Sequence, residues 1–222
     1  MLAIIHAAGW PIWPLLATSV LGLALIVERL LSLRRGLVLP RGLTEQVAEM
    51  LRTRQDTPDA ISRLERNSPL GRVLAEVLRQ RHLPRTELRA AVEDTGRAVA
   101  HDLNRYISAI GTIAVVAPLM GLFGTVVGMI EIFGAYAPDA SDPAQLAHGI
   151  SIALYNTGFG ILIAIPAMIA HRWLRARVDG YLATMEQMAG RLARHVGAEP
   201  HATEPRSGEY RAVEPRAGGP RA

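Results

Sequence analysis

The chain contains no cysteine and no lysine, and aromatic residues make up only 5% of it. Without cysteine there are no disulfides, no thiolate-bound zinc and no thiol chemistry. Without lysine, all 24 basic side chains are arginines. So few aromatics leave no stacking platform for bases, and no nucleic-acid motif is present, although the pI is near 10.1. Acidic residues are interspersed among the arginines and the formal net charge is only +4. The basic balance therefore reads as membrane topology, not nucleic-acid binding. No grouping of acids, histidines and a nucleophile suggests catalysis, so neither an enzyme nor a cofactor is expected. Half the residues are hydrophobic yet a fifth are charged, a mixture that suits a membrane protein with a substantial soluble part.

Charge is also missing locally, in three long runs. The first extends from Ile12 to Val27 and continues apolar beyond Glu28 and Arg29 to Leu33. Trp10 and Trp13 stand where an interfacial aromatic belt would fall. No lysine or arginine precedes this run, whereas Arg29, Arg34 and Arg35 close it, which puts the N-terminus outside and Arg34 in the cytoplasm. A second uncharged run covers Ile107 to Ile130, long enough to cross about 30 Å of hydrocarbon. The connection after it carries Asp139 and Asp142 but no arginine, as expected outside. The third run, Ile150 to Ala170, ends in His171, Arg172, Arg175 and Arg177, a cytoplasmic exit with Trp173 as interface anchor. All three helix ends obey one topology. The division is an outer N-terminus at 1–11, spans at 12–33, 106–136 and 149–172, an outer loop at 137–148, and soluble helical segments at 34–105 and 173–197.

Within 34–105, Thr44, Thr57 before Pro58 and Ser68 before Pro69 have the form of helix N-caps. From Leu88 through Ala91, Val92, Thr95, Val99 and Leu103 to Tyr106 the apolar spacing is helical. No proline or glycine pair interrupts the passage into the second span, so a single helix of roughly 70 Å is expected from Thr86 to Phe133. Asp142–Pro143 reads as the start of the third helix. Leu174, Val178, Leu182, Met185, Met188, Leu192 and Val196 continue a stripe past the third span, which should extend into the same bundle. Residues 198–222, rich in Glu-Pro-Arg, are expected to be disordered. The fold class is thus an all-α membrane protein with three transmembrane helices, the second and third extended into a cytoplasmic helical bundle.

The stretch APLMGLFGTVVGMIEIF, Ala117 to Phe133, carries the most information. Gly121, Gly124 and Gly128 share one helix face, with Glu131 continuing it and Thr125 on its flank. Glycine costs about 1 kcal/mol relative to alanine in a helix, but in a bilayer small residues permit close helix packing. That face is expected to meet a neighbouring copy or a partner helix. The third span carries Asn156, Thr157 and Gly160 near its middle and Pro166 further on, where neighbouring helices accommodate the lost hydrogen bond. An ionisable residue such as Glu131 in a span is a functional candidate by default. The bland alternatives are that Glu131 reaches the headgroups and that each threonine bonds to its own backbone.

PLMGLFGTVVGMIEIF followed by GISIALYNTGFGILIAIPAMI resembles the paired signature of the ExbB/TolQ/MotA proton-channel family, and ALIVERLLSLRR resembles the ExbB/TolQ branch. Three spans favour that branch over the flagellar stator subunit, and AAGWPIWP leans towards ExbB. The resemblance implies a bacterial inner-membrane protein, a homopentamer in contact with membrane lipid. It would enclose the helices of a single-span ExbD- or TolR-like partner and drive a TonB- or TolA-like protein. In the family the titrating aspartate belongs to the partner, and the lining threonines map to Thr125 and Thr157. Asn156 stands where a small residue is expected. The chain departs most at Ile152, where the family carries an acid, while Glu131 retains a second one. ExbB-like nutrient uptake, TolQ-like envelope maintenance and a non-conducting scaffold all stay open on these residues.

Overall fold

The computed structural model describes residues 10–134 and 143–196. The terminal segments and the loop between the second and third spans lie outside the described residues, including the 198–222 tail and Asp139 and Asp142. Among the described residues there are eight helices and no strand: α1 (Ile12–Ser32), α2 (Arg35–Val38), α3 (Leu43–Arg52), α4 (Pro58–Asn67), α5 (Pro69–Arg79), α6 (Arg85–Asn104), α7 (Ile107–Gly134) and α8 (Pro143–Val196). Three of them, α1, α7 and the first part of α8, are long and apolar enough to span a bilayer. This is an all-α membrane protein.

The spans pack as a three-helix sheaf. Helix α7 lies antiparallel against α8, with α1 across both. Gly22 of α1 packs on Ile113 of α7, 3.4 Å from where a methyl group would sit, and Trp10 meets the Phe123 ring edge-on at 6.2 Å. At one end of the sheaf, helices α2 to α6 form a small bundle around the last part of α8. Leu174, Val178, Tyr181, Met185, Ala189 and Leu192 of α8 are buried there with Val47, Leu70, Leu74, Leu78 and Val99. Leu182, Met188 and Val196, read as members of the same stripe, lie partly buried on its edge. The 54 residues of α8 would run about 80 Å, so one helix serves both the membrane and the bundle.

Local capping matches the sequence at two of three places. The Thr57 hydroxyl accepts from the Ala60 amide at 3.3 Å and Ser68 accepts from the Gly71 amide at 3.0 Å, each followed by proline in the first turn. The third cap is not Thr44. Helix α3 begins two residues earlier than that cap would have it, behind Gly42 with φ of 76°, a left-handed conformation that glycine adopts without steric cost. The Thr44 hydroxyl instead approaches the Met188 sulfur at 3.5 Å, tying α3 to α8.

The single helix expected from Thr86 to Phe133 is broken. Helix α6 stops at Asn104, Arg105 is extended, and Tyr106 has φ of 63° before α7 starts at Ile107. A left-handed tyrosine costs about 1–2 kcal/mol. Its ring is contacted by two guanidiniums, Arg29 of α1 at 5.2 Å and Arg105 at 4.8 Å. Two cation–π contacts of about 0.5–1 kcal/mol each are of the right size to offset that strain. The break thus rests on a tertiary contact to a residue 77 positions away, which no local pattern around Tyr106 announces.

A second tie secures the same level. Tyr181 donates its hydroxyl to the carbonyl of Leu33 at 2.9 Å and accepts from Arg177 Nε at 2.7 Å. Leu33 closes α1, so this bond satisfies one of the carbonyls a helix C-terminus leaves over. Arg177 is further held over the Trp173 ring at 4.7 Å.

Candidate functional site

The glycine face of α7 is used within the chain, against α8, and not against the neighbouring copy or partner helix that the sequence led one to expect. A methyl group on Gly121 would sit 2.6 Å from the Asn156 carbonyl oxygen and 3.0 Å from Thr157 Cα. One on Gly160 would meet the Ala117 carbonyl at 2.6 Å, and one on Gly124 would meet the Asn156 side chain at 2.8 Å. These are backbone-close contacts between α7 and α8, so the third span of the same chain occupies this face. Gly128 is looser, with 3.5 Å to Ala153 Cβ. Asn156 is 1% exposed. Its side chain fills the notch that Gly124 leaves, which is why a residue larger than alanine fits there. Pro166 lies within α8, and α7 carries a proline of its own, Pro118, that the sequence reading did not single out.

This packing fixes the depth of the remaining site residues. With Gly124 opposite Asn156 and Gly128 opposite Ala153, the antiparallel register puts Thr125 and Thr157 within about one helical turn of each other. Both are half-buried. The same register brings Glu131 level with the turn that contains Gly149 and Ile150, close in depth to Ile152. Glu131 is exposed and forms no ion pair among the described residues. It is therefore separated from Thr125 both along the helix and around it.

Thr125 has a distinct setting. It stands in an open groove along α7 whose other lining residues are Val126, Met129, Ile130, Phe133 and Gly134. Among the described residues its hydroxyl is the only polar side-chain group in that lining. It donates to the Leu122 carbonyl at 2.6 Å, the back-bonding that the bland alternative anticipates. The bond occupies the proton but leaves the oxygen lone pairs able to accept. In this rotamer Thr125 can accept a hydrogen bond from water or from a protonated carboxylic acid. To donate to a carboxylate, the hydroxyl must turn and release Leu122. The hydroxyl is thus an acceptor as it stands and a donor to the groove only after it turns. Among the described residues, no group of three or more histidine, aspartate or glutamate side chains is placed to hold a metal ion.

Comparison with known proteins agrees with this architecture. The chain is 29% identical over 191 residues to an ExbB-like biopolymer transport protein of Synechocystis sp., covering 84% of this chain and 90% of the relative. It is 29% identical over 185 residues to biopolymer transport protein exbB1 of Vibrio cholerae, covering 80% of each. It is also 37% identical over 98 residues to the Tol-Pal system protein TolQ of Haemophilus influenzae, covering 40% of this chain and 43% of that one. The family model described as MotA/TolQ/ExbB proton channel family matches residues 65–187. That match takes in α5, α6, both glycine-packed spans and most of the bundle segment of α8, so the chain belongs to the MotA/TolQ/ExbB proton channel family.

Proposed function

We propose that this chain is the ExbB-like subunit of an inner-membrane proton channel. With an ExbD-like single-span partner it uses the proton motive force to energise TonB-dependent transport across the outer membrane. The observation that carries this reading is the Thr125 groove, an apolar trough along a membrane helix with one hydroxyl in it. A partner carboxyl docked there loses solvent, which raises its pKa and lets it hold a proton. Protonated, it donates to Thr125; ionised, it forces the hydroxyl to turn, so the two states bind with different strength. That difference moves the partner helix, and one elementary charge crossing 100 mV supplies about 2.3 kcal/mol to the motion.

The remaining parts of the proposal follow the family resemblance and the arginine distribution. Several copies, five by resemblance, surround the partner, and most of the apolar surface of the spans is left exposed for that contact and for lipid. The arginines beyond Leu33 and after Ala170 place the helical bundle in the cytoplasm and the N-terminus in the periplasm. Glu131, exposed near the opposite end of α7, acts as the periplasmic entry acid in place of the one missing at Ile152.

A TolQ-like role in envelope maintenance, with TolR- and TolA-like partners, is the second reading, favoured by the 37% identity to a TolQ. Either role requires conduction, which a scaffold does not. Vesicles holding the chain together with its partner should acidify faster than vesicles holding the chain alone when a proton gradient is imposed, and Glu131→Gln should slow them. Equal rates with and without the partner would support the scaffold instead.

A further inference from the structure

The level at which the three spans enter the bundle is rich in arginine and nearly empty of acid. Three contacts define it: Arg29 on Tyr106, Tyr181 on Leu33, and His171 against Gly111. Exposed here are Arg34 and Arg35 after α1, Arg105 before α7, and Arg172 and Arg175 on α8. None of the five forms an ion pair among the described residues. Acids are absent from residues 29–44, 103–130 and 143–178. Of the carboxylates that flank these stretches, Glu28 pairs with Arg29 and also feels the charge of Arg105, and Asp102 pairs with Arg72 at 2.8 Å. Asp179, four residues past Arg175, makes no ion pair among the described residues. Four guanidiniums, those of Arg34, Arg35, Arg172 and Arg175, thus stand exposed with no carboxylate paired to them among the described residues.

The same level carries exposed apolar and aromatic side chains. Leu37, between Arg35 and Arg41, is 59% exposed, and Trp173, between Arg172 and Arg175, is 47% exposed. Leucine and tryptophan directed outward beside arginine suit a bilayer interface, where the apolar part enters the acyl boundary and the charge stays among headgroups. We propose that this rim is a binding surface for anionic phospholipid, with phosphate groups taking the place of the missing carboxylates. Guanidinium binds phosphate through paired N–H donors, and basic groups between span ends on one side of a membrane form headgroup sites. The inference is independent of conduction and holds for a channel or a scaffold alike.

The test uses the full-length chain in neutral detergent, titrated with phosphatidylglycerol or phosphatidylcholine and read by native mass spectrometry. The wild-type chain should retain phosphatidylglycerol in clear preference. Arg34→Gln/Arg35→Gln and Arg172→Gln/Arg175→Gln should each lower that preference by roughly 5-fold per arginine, leave phosphatidylcholine unchanged and keep the helical circular dichroism. The matching lysine pairs should restore most of it. A charge-matched pair in the bundle, Arg63→Gln/Arg66→Gln, should have no effect. No preference in the wild-type chain would overturn the proposal, as would an equal loss in the bundle pair. Complete displacement of the lipid by an equal concentration of inorganic phosphate would reduce the rim to a phosphate site and also overturn it.

Discussion

At the scale of single residues, what matters is how little space α7 and α8 leave each other. Gly121 and Gly160 face backbone carbonyls that cannot retreat, whereas Gly128 faces a methyl group at ordinary distance. Gly121→Ala and Gly160→Ala should therefore each destabilise the chain by about 1–3 kcal/mol, the usual range for overpacking. Gly128→Ala should be neutral or slightly stabilising, because alanine is the better helix former. Thermal unfolding in detergent micelles distinguishes the three; equal shifts for Gly121 and Gly128 would contradict the observed packing. Tyr181→Phe gives a second residue-scale test, since it removes the donor to the buried Leu33 carbonyl and a partner of Arg177. A loss of about 1–3 kcal/mol is expected, the cost of leaving such a group unsatisfied.

At the scale of elements, the helices written in local chemistry were legible and the junctions written in tertiary contact were not. Proline behind threonine or serine marks the starts of α4 and α5, and the repeat from Leu174 to Leu192 marks the long course of α8. The end of α6 carries no such mark. Nothing near Tyr106 breaks a helix, and Arg29, which stacks on it, comes from another span. The partner of the glycine face was equally hidden, because small residues announce close packing but not with which helix. Asn156 gave the available signal, a side chain too large for its place unless glycine stood opposite. The Tyr106 junction can be tested by sequence changes that treat its two demands separately. Tyr106→Phe keeps the ring face for both guanidiniums and should alter stability by less than about 0.5 kcal/mol. Tyr106→Val loses the ring and puts a β-branched residue at positive φ, and should cost about 2–3 kcal/mol. Similar melting temperatures for the two variants would show that the ring contacts do not hold the break.

At the scale of the whole molecule, one continuous helix joins the membrane to the bundle, and two tyrosines fasten the other spans to it and to each other where they emerge. A displacement of α7 against α8 at the depth of Thr125 would reach the bundle through α8 and the Tyr106 junction. That route is short because α8 needs no joint between Asn156, buried on the α7 face, and Met185 in the bundle core. The spans leave most of their apolar surface uncovered, which suits a chain that works with others around it. The central claim remains that two hydroxyls at one depth serve a carboxyl group brought by a partner. Its most direct test is proton flux into vesicles containing the assembled chain and its ExbD-like partner, with Thr125→Val and Thr157→Val combined. Valine keeps the shape of threonine and removes the hydroxyl, so the complex should assemble while flux falls by an order of magnitude or more, and Thr125→Ser should keep most of the wild-type rate. Wild-type flux in an assembled double variant would contradict the account.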